Sequence, residues 1–159
     1  MLSNVPFVRV RGADEEPGMA VVLVIEDDEH LRRLLRTVLE RAGYTVEEAA
    51  NGAAGLKQFS IRPADVVVTD IIMPEKEGLE TIIELKRDYP HVKIIAISGG
   101  GAALDAQYLP SAKALGADRT LEKPFEPREV IEAVGGLLRE ASAPGRASFA
   151  SDSNGGHTL

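Results

Sequence analysis

Three acidic residues in a row, Glu26-Asp27-Asp28, close the apolar run Val21-Val22-Leu23-Val24-Ile25. A lone carboxylate, Asp70, closes Val66-Val67-Val68-Thr69. Ser98 follows the run Val92 to Ile97, and Lys123-Pro124 follows the short stretch Thr120 to Glu122. Taken singly, each is ordinary. An acidic residue after a strand commonly caps a helix, as Asp28 can. Glu29 suits a solvated first turn, Ser98 before Gly99 suits a turn, and a lysine before proline suits a surface. Brought to one place they have a shared chemistry. Clustered carboxylates repel and need a counter-charge. An oxygen-only set without His or Cys suits a hard cation, and Mg²⁺ takes one or two carboxylates together with waters and a phosphoryl oxygen. Asp70 could then act as a nucleophile towards a phosphoryl donor. The cation and Lys123 would neutralise the equatorial oxygens in transfer, and Ser98 would donate a hydrogen bond to one of them.

The elements that must position these residues are legible between residues 20 and 140. Val21 to Ile25 reads as a strand buried on both faces, as in a parallel sheet. Leu31, Leu34, Leu35, Val38 and Leu39 fall on one helical face, with Arg32, Arg33 and Arg36 off it. Gly43 ends that helix as a left-handed cap. Tyr44 to Ala49 is a weaker strand and Gly52 to Phe59 a short helix. Pro63 breaks the chain before the strand Asp65 to Thr69. Gly78 to Asp88 is helical, with Leu79, Ile82, Ile83 and Lys86 as the expected inner stripe, and Pro90 closes it. Val92 to Ile97 is a strand, and Gly99-Gly100-Gly101 is a loop. A helix follows from near Tyr108, with Pro110 in its first turn, and ends at Gly116. Thr120 to Glu122 is a short strand. Pro127 suits a first helical position, and Val130, Ile131, Val134, Leu137 and Leu138 mark the last amphipathic helix. Five strands alternating with five helices predict an α/β fold. It is a doubly wound parallel sheet with right-handed crossovers and helices on both faces. Ligands bind such sheets at the carboxyl ends of the strands, where all the residues above would lie.

Composition narrows the function classes. The chain has 159 residues, 44% apolar and 27% charged, which is the scale of one domain. With no cysteine, disulfides, thiolate metal sites and Cys nucleophiles are excluded. A net charge of −7, without a basic run, argues against direct nucleic-acid binding. No apolar stretch reaches the ~20 residues of a membrane helix, and no signal peptide is visible, so a cytoplasmic location without membrane insertion is expected. Residues 1–19 read as a flexible N-terminal extension and residues 141–159, rich in Ser, Gly and Ala, as a disordered tail. His30, His91 and His157 share no ligand spacing. Tyr44, Tyr89 and Tyr108 read as packing residues.

These motifs, in this order, resemble the receiver domain of two-component response regulators. Val22 to Asp28 is similar to the family's first strand and acidic pair. Asp70-Ile71-Ile72-Met73-Pro74 with Gly78 is similar to its phosphoacceptor segment. Ser98 falls at its Ser/Thr position, and Lys123-Pro124-Phe125 matches its Lys-Pro-Phe signature. The resemblance implies a flavodoxin-like sheet of order 2-1-3-4-5. It implies that Asp70 takes a phosphoryl group from a sensor histidine kinase or histidine phosphotransfer protein. Asp27 and Asp70 would bind Mg²⁺ directly, Glu26 through water, and Ile72 by its backbone carbonyl. Lys123 would pair with the acyl phosphate, and Ser98 would move towards it. The implied self-phosphorylation and self-dephosphorylation do not make a conventional turnover enzyme.

The chain departs from the family at Thr120, where an aromatic residue often follows the Ser/Thr movement. Without a ring, that switch cannot operate, and the glycine loop 99–101 with the following helix is the expected alternative. Residues 139–159 suggest no DNA-binding or enzymatic module, so the expected output is contact with a downstream protein target. Two other readings compete. A phosphorylation-independent pseudo-receiver would keep the fold without the transfer. An Asp-nucleophile phosphatase of the haloacid-dehalogenase type would want a second Asp where Ile72 stands. A flavodoxin-like cofactor binder lacks both the Ser/Thr-rich phosphate loop and any Trp.

Overall fold

A computed structural model describes residues 19–71, 78–99 and 108–142. The expectations for Ile72 and most of the glycine loop lie outside these residues, as do those for the two termini. The chain alternates β1 (Val21–Ile25), α1 (Glu29–Arg41), β2 (Thr45–Ala49), α2 (Gly52–Ile61) and β3 (Val66–Asp70). It continues with α3 (Gly78–Asp88), β4 (Lys93–Ser98), α4 (Tyr108–Leu115), β5 (Arg119–Glu122) and α5 (Pro127–Ser142). All neighbouring strands pair in parallel, in the order β2-β1-β3-β4-β5. This is the doubly wound sheet expected from the alternation.

Pleating sorts the strand residues onto two cores. Val21, Leu23, Ile25, Val67, Ile94 and Ala96 face α2, α3 and α4, where Phe59, Ile82, Leu85 and Ala112 meet them. Val22, Val24, Val66, Val68, Ile95 and Ile97 face α1 and α5, against Leu35, Leu39, Val130, Val134 and Leu137. Each such fully buried aliphatic side chain contributes about 1.5–3 kcal/mol. Tyr44 packs on the second core, and Tyr89 packs on the first with its ring 4.6 Å from that of Phe59.

Local chemistry sets the helix ends. Asp28 caps α1, accepting from the His30 and Leu31 N–H groups at 2.9 and 3.2 Å. Those bonds, Leu31's first, hold its exposed carboxyl below the usual range. Asn51 caps α2 through the Ala54 N–H at 2.8 Å. Gly43 and Gly116, at φ +98° and +122°, follow α1 and α4 in the left-handed region that favours glycine.

Two expected core positions point outwards instead. Leu34 is 50% exposed and Ile83 is 44% exposed. In α3 the buried stripe is Gly78, Thr81, Ile82 and Leu85. Gly78 lies flat on the β3 backbone, and that contact rotates the helix so that Ile83 turns away. Lys86 lies against Gly116 and donates to the Val92 carbonyl at 2.6 Å.

The amino edge of the sheet carries two matching clasps. Asp65 N–H donates to Val21 O at 2.8 Å while its carboxylate accepts from Val21 N–H at 2.8 Å. Asp118 does the same with Ile94, at 2.8 and 2.9 Å. Asp65 therefore stands just before β3 rather than opening it. At the carboxyl edge, Ile25 pairs with Thr69, Asp70 with Ile97, and Ser98 with Glu122. Glu26 thus follows in the same row as Asp70.

Candidate phosphoryl-transfer site

Four of the five strands, all but β2, deliver site groups to this edge. Glu26 continues β1, and its N–H donates to Ala49 O at 3.1 Å. Its side chain is almost fully buried, 1% exposed; Asp70, at the end of β3, is 4% exposed. By strand alternation Glu26 and Asp70 point to the same side of the sheet, the side of α1 and α5. Lys123 lies two residues beyond Leu121, which packs on that side, so it shares their parity. Its Nζ reaches Asp70 Oδ2 at 2.6 Å and Glu26 Oε2 at 3.5 Å. The Lys123 N–H donates to Ser98 O at 2.8 Å, which ties the end of β5 to the end of β4. The Lys123-Pro124 peptide bond is cis.

The electrostatics follow from burial. Glu26 is pushed up from 4.5 to about 8, first by desolvation and then by the Asp70 charge. A hydrogen bond from the Asp28 N–H to Oε1, at 3.1 Å, and the Lys123 charge offset part of this. Burial opposes the charge on Lys123 as well. The hydrogen bond to Asp70 and the charges of Asp70 and Glu26 outweigh it and raise the ammonium above its ordinary value.

Glu26, Asp27 and Asp70 each offer a carboxylate oxygen, and these lie within 4.8 Å of one another. Asp27 is exposed while the other two are buried. All the donors are oxygens, and the two buried carboxyls share a single ammonium. Such a set fits a hard divalent cation of the Mg²⁺ type.

Ser98 is buried at the end of β4, one row beyond Asp70 and of opposite parity. Thr120, half-buried, pairs with Ala96 and lies on the α2–α4 side, opposite to Leu121. The expected residues Glu26, Asp27, Asp70 and Lys123 come together, with Ser98 one row away. Arg32 lies off the apolar face of α1, yet its Nη1 donates to the Glu26 carbonyl at 2.9 Å. Only its place one turn after the Asp28 cap separates it in sequence from Arg33 and Arg36. Gly78 lies against the backbone of Asp70 and Ile71. Its N–H donates to Ile71 O at 2.8 Å, and a Cβ there would stand 1.9 Å from Asp70 O.

Comparison with known proteins agrees with this fold. The family model for the response regulator receiver domain matches residues 22–135. The chain is 36% identical over 114 residues to chemotaxis protein CheY of Thermotoga maritima, covering 71% of this chain and 92% of that one. It is 33% identical over 126 residues to a transcriptional regulatory protein, the CpxR homolog of Haemophilus influenzae. That match covers 79% of this chain, which spans only 53% of the relative's length. Among solved structures, a response regulator receiver domain protein from Clostridium thermocellum superposes with a TM-score of 0.72 at 29% identity. The match covers 77% of this chain and 97% of that one. No helix among the described residues is long and apolar enough to cross a membrane.

Proposed function

The chain belongs to the response regulator receiver domain family, and on that premise we propose that Asp70 accepts a phosphoryl group in a Mg²⁺-dependent reaction. The observation that carries this is the buried pair Glu26 and Asp70, with the Lys123 ammonium 2.6 Å from Asp70 Oδ2. A buried carboxylate held by an ammonium is positioned and only partly neutralised. It is a nucleophile at rest.

In the transfer, an Asp70 oxygen forms a bond to phosphorus while the donor's P–N bond, that of a phosphohistidine, breaks. The imidazole leaves as the neutral ring, because its other nitrogen already carries a proton. Lys123, already on Oδ2, follows charge from the carboxylate to the phosphoryl oxygens. Glu26, Asp27 and Asp70 would hold Mg²⁺, with the Ile72 carbonyl as a further donor. Mg²⁺ bound there supplies charge neutralisation for the phosphoryl oxygens. Ser98, from the neighbouring row, donates to the phosphoryl group and carries the change to the loop after β4. Thr120 has no ring to swing, so the readout lies in that loop and in α4 rather than in an aromatic rotamer. The donor is a sensor histidine kinase or a histidine phosphotransfer protein, and the output is contact with a downstream protein in the cytoplasm.

The test is direct. Wild-type chain is incubated with Mg²⁺ and a small acyl or amido phosphate, and the intact mass is measured. A gain of one phosphoryl group, absent in Asp70→Asn, is the expected result. No gain with Mg²⁺ present would reject the proposal for a phosphorylation-independent receiver. Turnover of the donor without any retained adduct would reject it for a phosphatase.

A further inference from the structure

We infer that Arg32 is a positioning residue for the acidic turn, held in place from behind by Glu48 and Arg36. The inference rests on the receiver reading above and adds a residue to it. The bond from Glu26 N–H to Ala49 O, 3.1 Å, is the last rung between β1 and β2. In a parallel ladder the next rung would run from residue 51 to the Glu26 carbonyl. Asn51 has left the strand to cap α2. The Arg32 guanidinium takes that place, with Nη1 2.9 Å from Glu26 O. A buried carbonyl requires a donor, and here a side chain supplies it.

That carbonyl belongs to the peptide leading into Asp27. Fixing its plane fixes the direction in which Asp27 leaves the strand. It also fixes the turn in which Asp28 N–H meets Glu26 Oε1. Arg32 is itself anchored. Its Nε is 3.8 Å from Glu48 Oε1, with the two side chains only 19% and 24% exposed. The other Glu48 oxygen accepts from Arg36 Nη1 at 2.7 Å, and Arg36 Nε donates to Glu40 at 2.9 Å. The rigid fork of an arginine can serve a carbonyl and a carboxylate together, which an ammonium does poorly.

The charge of Arg32 works against this role, which makes the two separable. A cation near a Mg²⁺ site repels the metal. Removing it should tighten binding if charge is all that matters, and weaken binding if position matters. The full chain is titrated with Mg²⁺ by NMR, following the amides of Asp27 to His30. Amide exchange is recorded without metal, and circular dichroism reports the fold. Wild type is compared with Arg32→Met, Arg32→Lys and Glu48→Gln. The expected result is Mg²⁺ affinity lowered roughly tenfold in Arg32→Met, as for other groups that orient metal ligands. Smaller losses are expected in the other two variants, with faster exchange of the Asp28 amide in Arg32→Met. Unchanged or tighter Mg²⁺ binding in a folded Arg32→Met overturns the inference. If that variant does not fold, unchanged affinity in Glu48→Gln overturns it. A wild-type chain that binds no Mg²⁺ overturns the receiver reading as well, so the wild-type titration tells the two failures apart.

Discussion

Gly78 stands so close to Asp70 that a methyl group on its α-carbon would lie 1.9 Å from the Asp70 carbonyl oxygen. The obstacle is backbone, which cannot rotate aside as a flexible side chain can. Gly78→Ala therefore forces α3 off β3, and overpacking of this kind costs roughly 1–3 kcal/mol. The ~1 kcal/mol that alanine normally gains over glycine in a helix does not offset it. Urea unfolding should show the loss, and phosphoryl uptake should slow with it. A variant as stable as wild type would mean that the contact relaxes freely.

Lys123→Ala leaves two buried carboxyls without their ammonium. Losing one partner of a buried ion pair costs on the order of 3 kcal/mol. The metal-free protein should melt at a lower temperature, and Mg²⁺ should raise the melting point of the variant more than that of wild type. Equal shifts in the two proteins would separate Lys123 from the electrostatics of the site.

The proton on Glu26 gives stability a pH dependence with a definite sign. Its carboxyl sits at about 8 in the folded chain against an ordinary 4.5. Between those values the folded state holds a proton that the unfolded state has released, so metal-free stability falls as pH rises through this window. Lys123, raised above its ordinary value, stays charged throughout. Mg²⁺ competes with the Glu26 proton, so its affinity should climb from pH 6 to 8 and then level off. Glu26→Gln should flatten both curves. Denaturation and Mg²⁺ titrations across that range check it, and a stability curve rising with pH would refute it.

Asp70→Asn removes the neighbouring charge that helps to raise Glu26. The Glu26 carboxyl should then titrate below its wild-type value while phosphoryl uptake disappears. Carbon-13 NMR of the side-chain carboxyl reads the first effect and intact mass the second.

Much of this site could be read from residue order alone, because strand ends are announced by abrupt changes of polarity. Glu26 after five apolar residues, Asp70 after three valines and a threonine, and Lys123 before a proline each mark an edge. Parallel pairing then places those edges together. Helix rotation was harder to read. Leu34 and Ile83 satisfy helical periodicity, yet a glycine flattened on a strand decides which residue of α3 faces inwards. The depth of Glu26 was equally hidden, since an acidic residue beside two others reads as solvated. In sequence Arg32 is one of three similar arginines, and only the end of the β1–β2 ladder distinguishes it.

The Asp65–Val21 clasp has a further consequence, because both faces of the sheet are apolar. If β3 slipped by one residue, valine would still replace valine at two of its five positions. Hydrophobic burial would register only part of the error, while Asp70 would be turned to the wrong side of the sheet. A reciprocal pair of hydrogen bonds at the far end of the strand, 2.8 Å each, resists that slip. The residues that proofread the alignment thus stand at the opposite edge from the chemistry that depends on it. An error there would yield a well-folded molecule that is chemically silent.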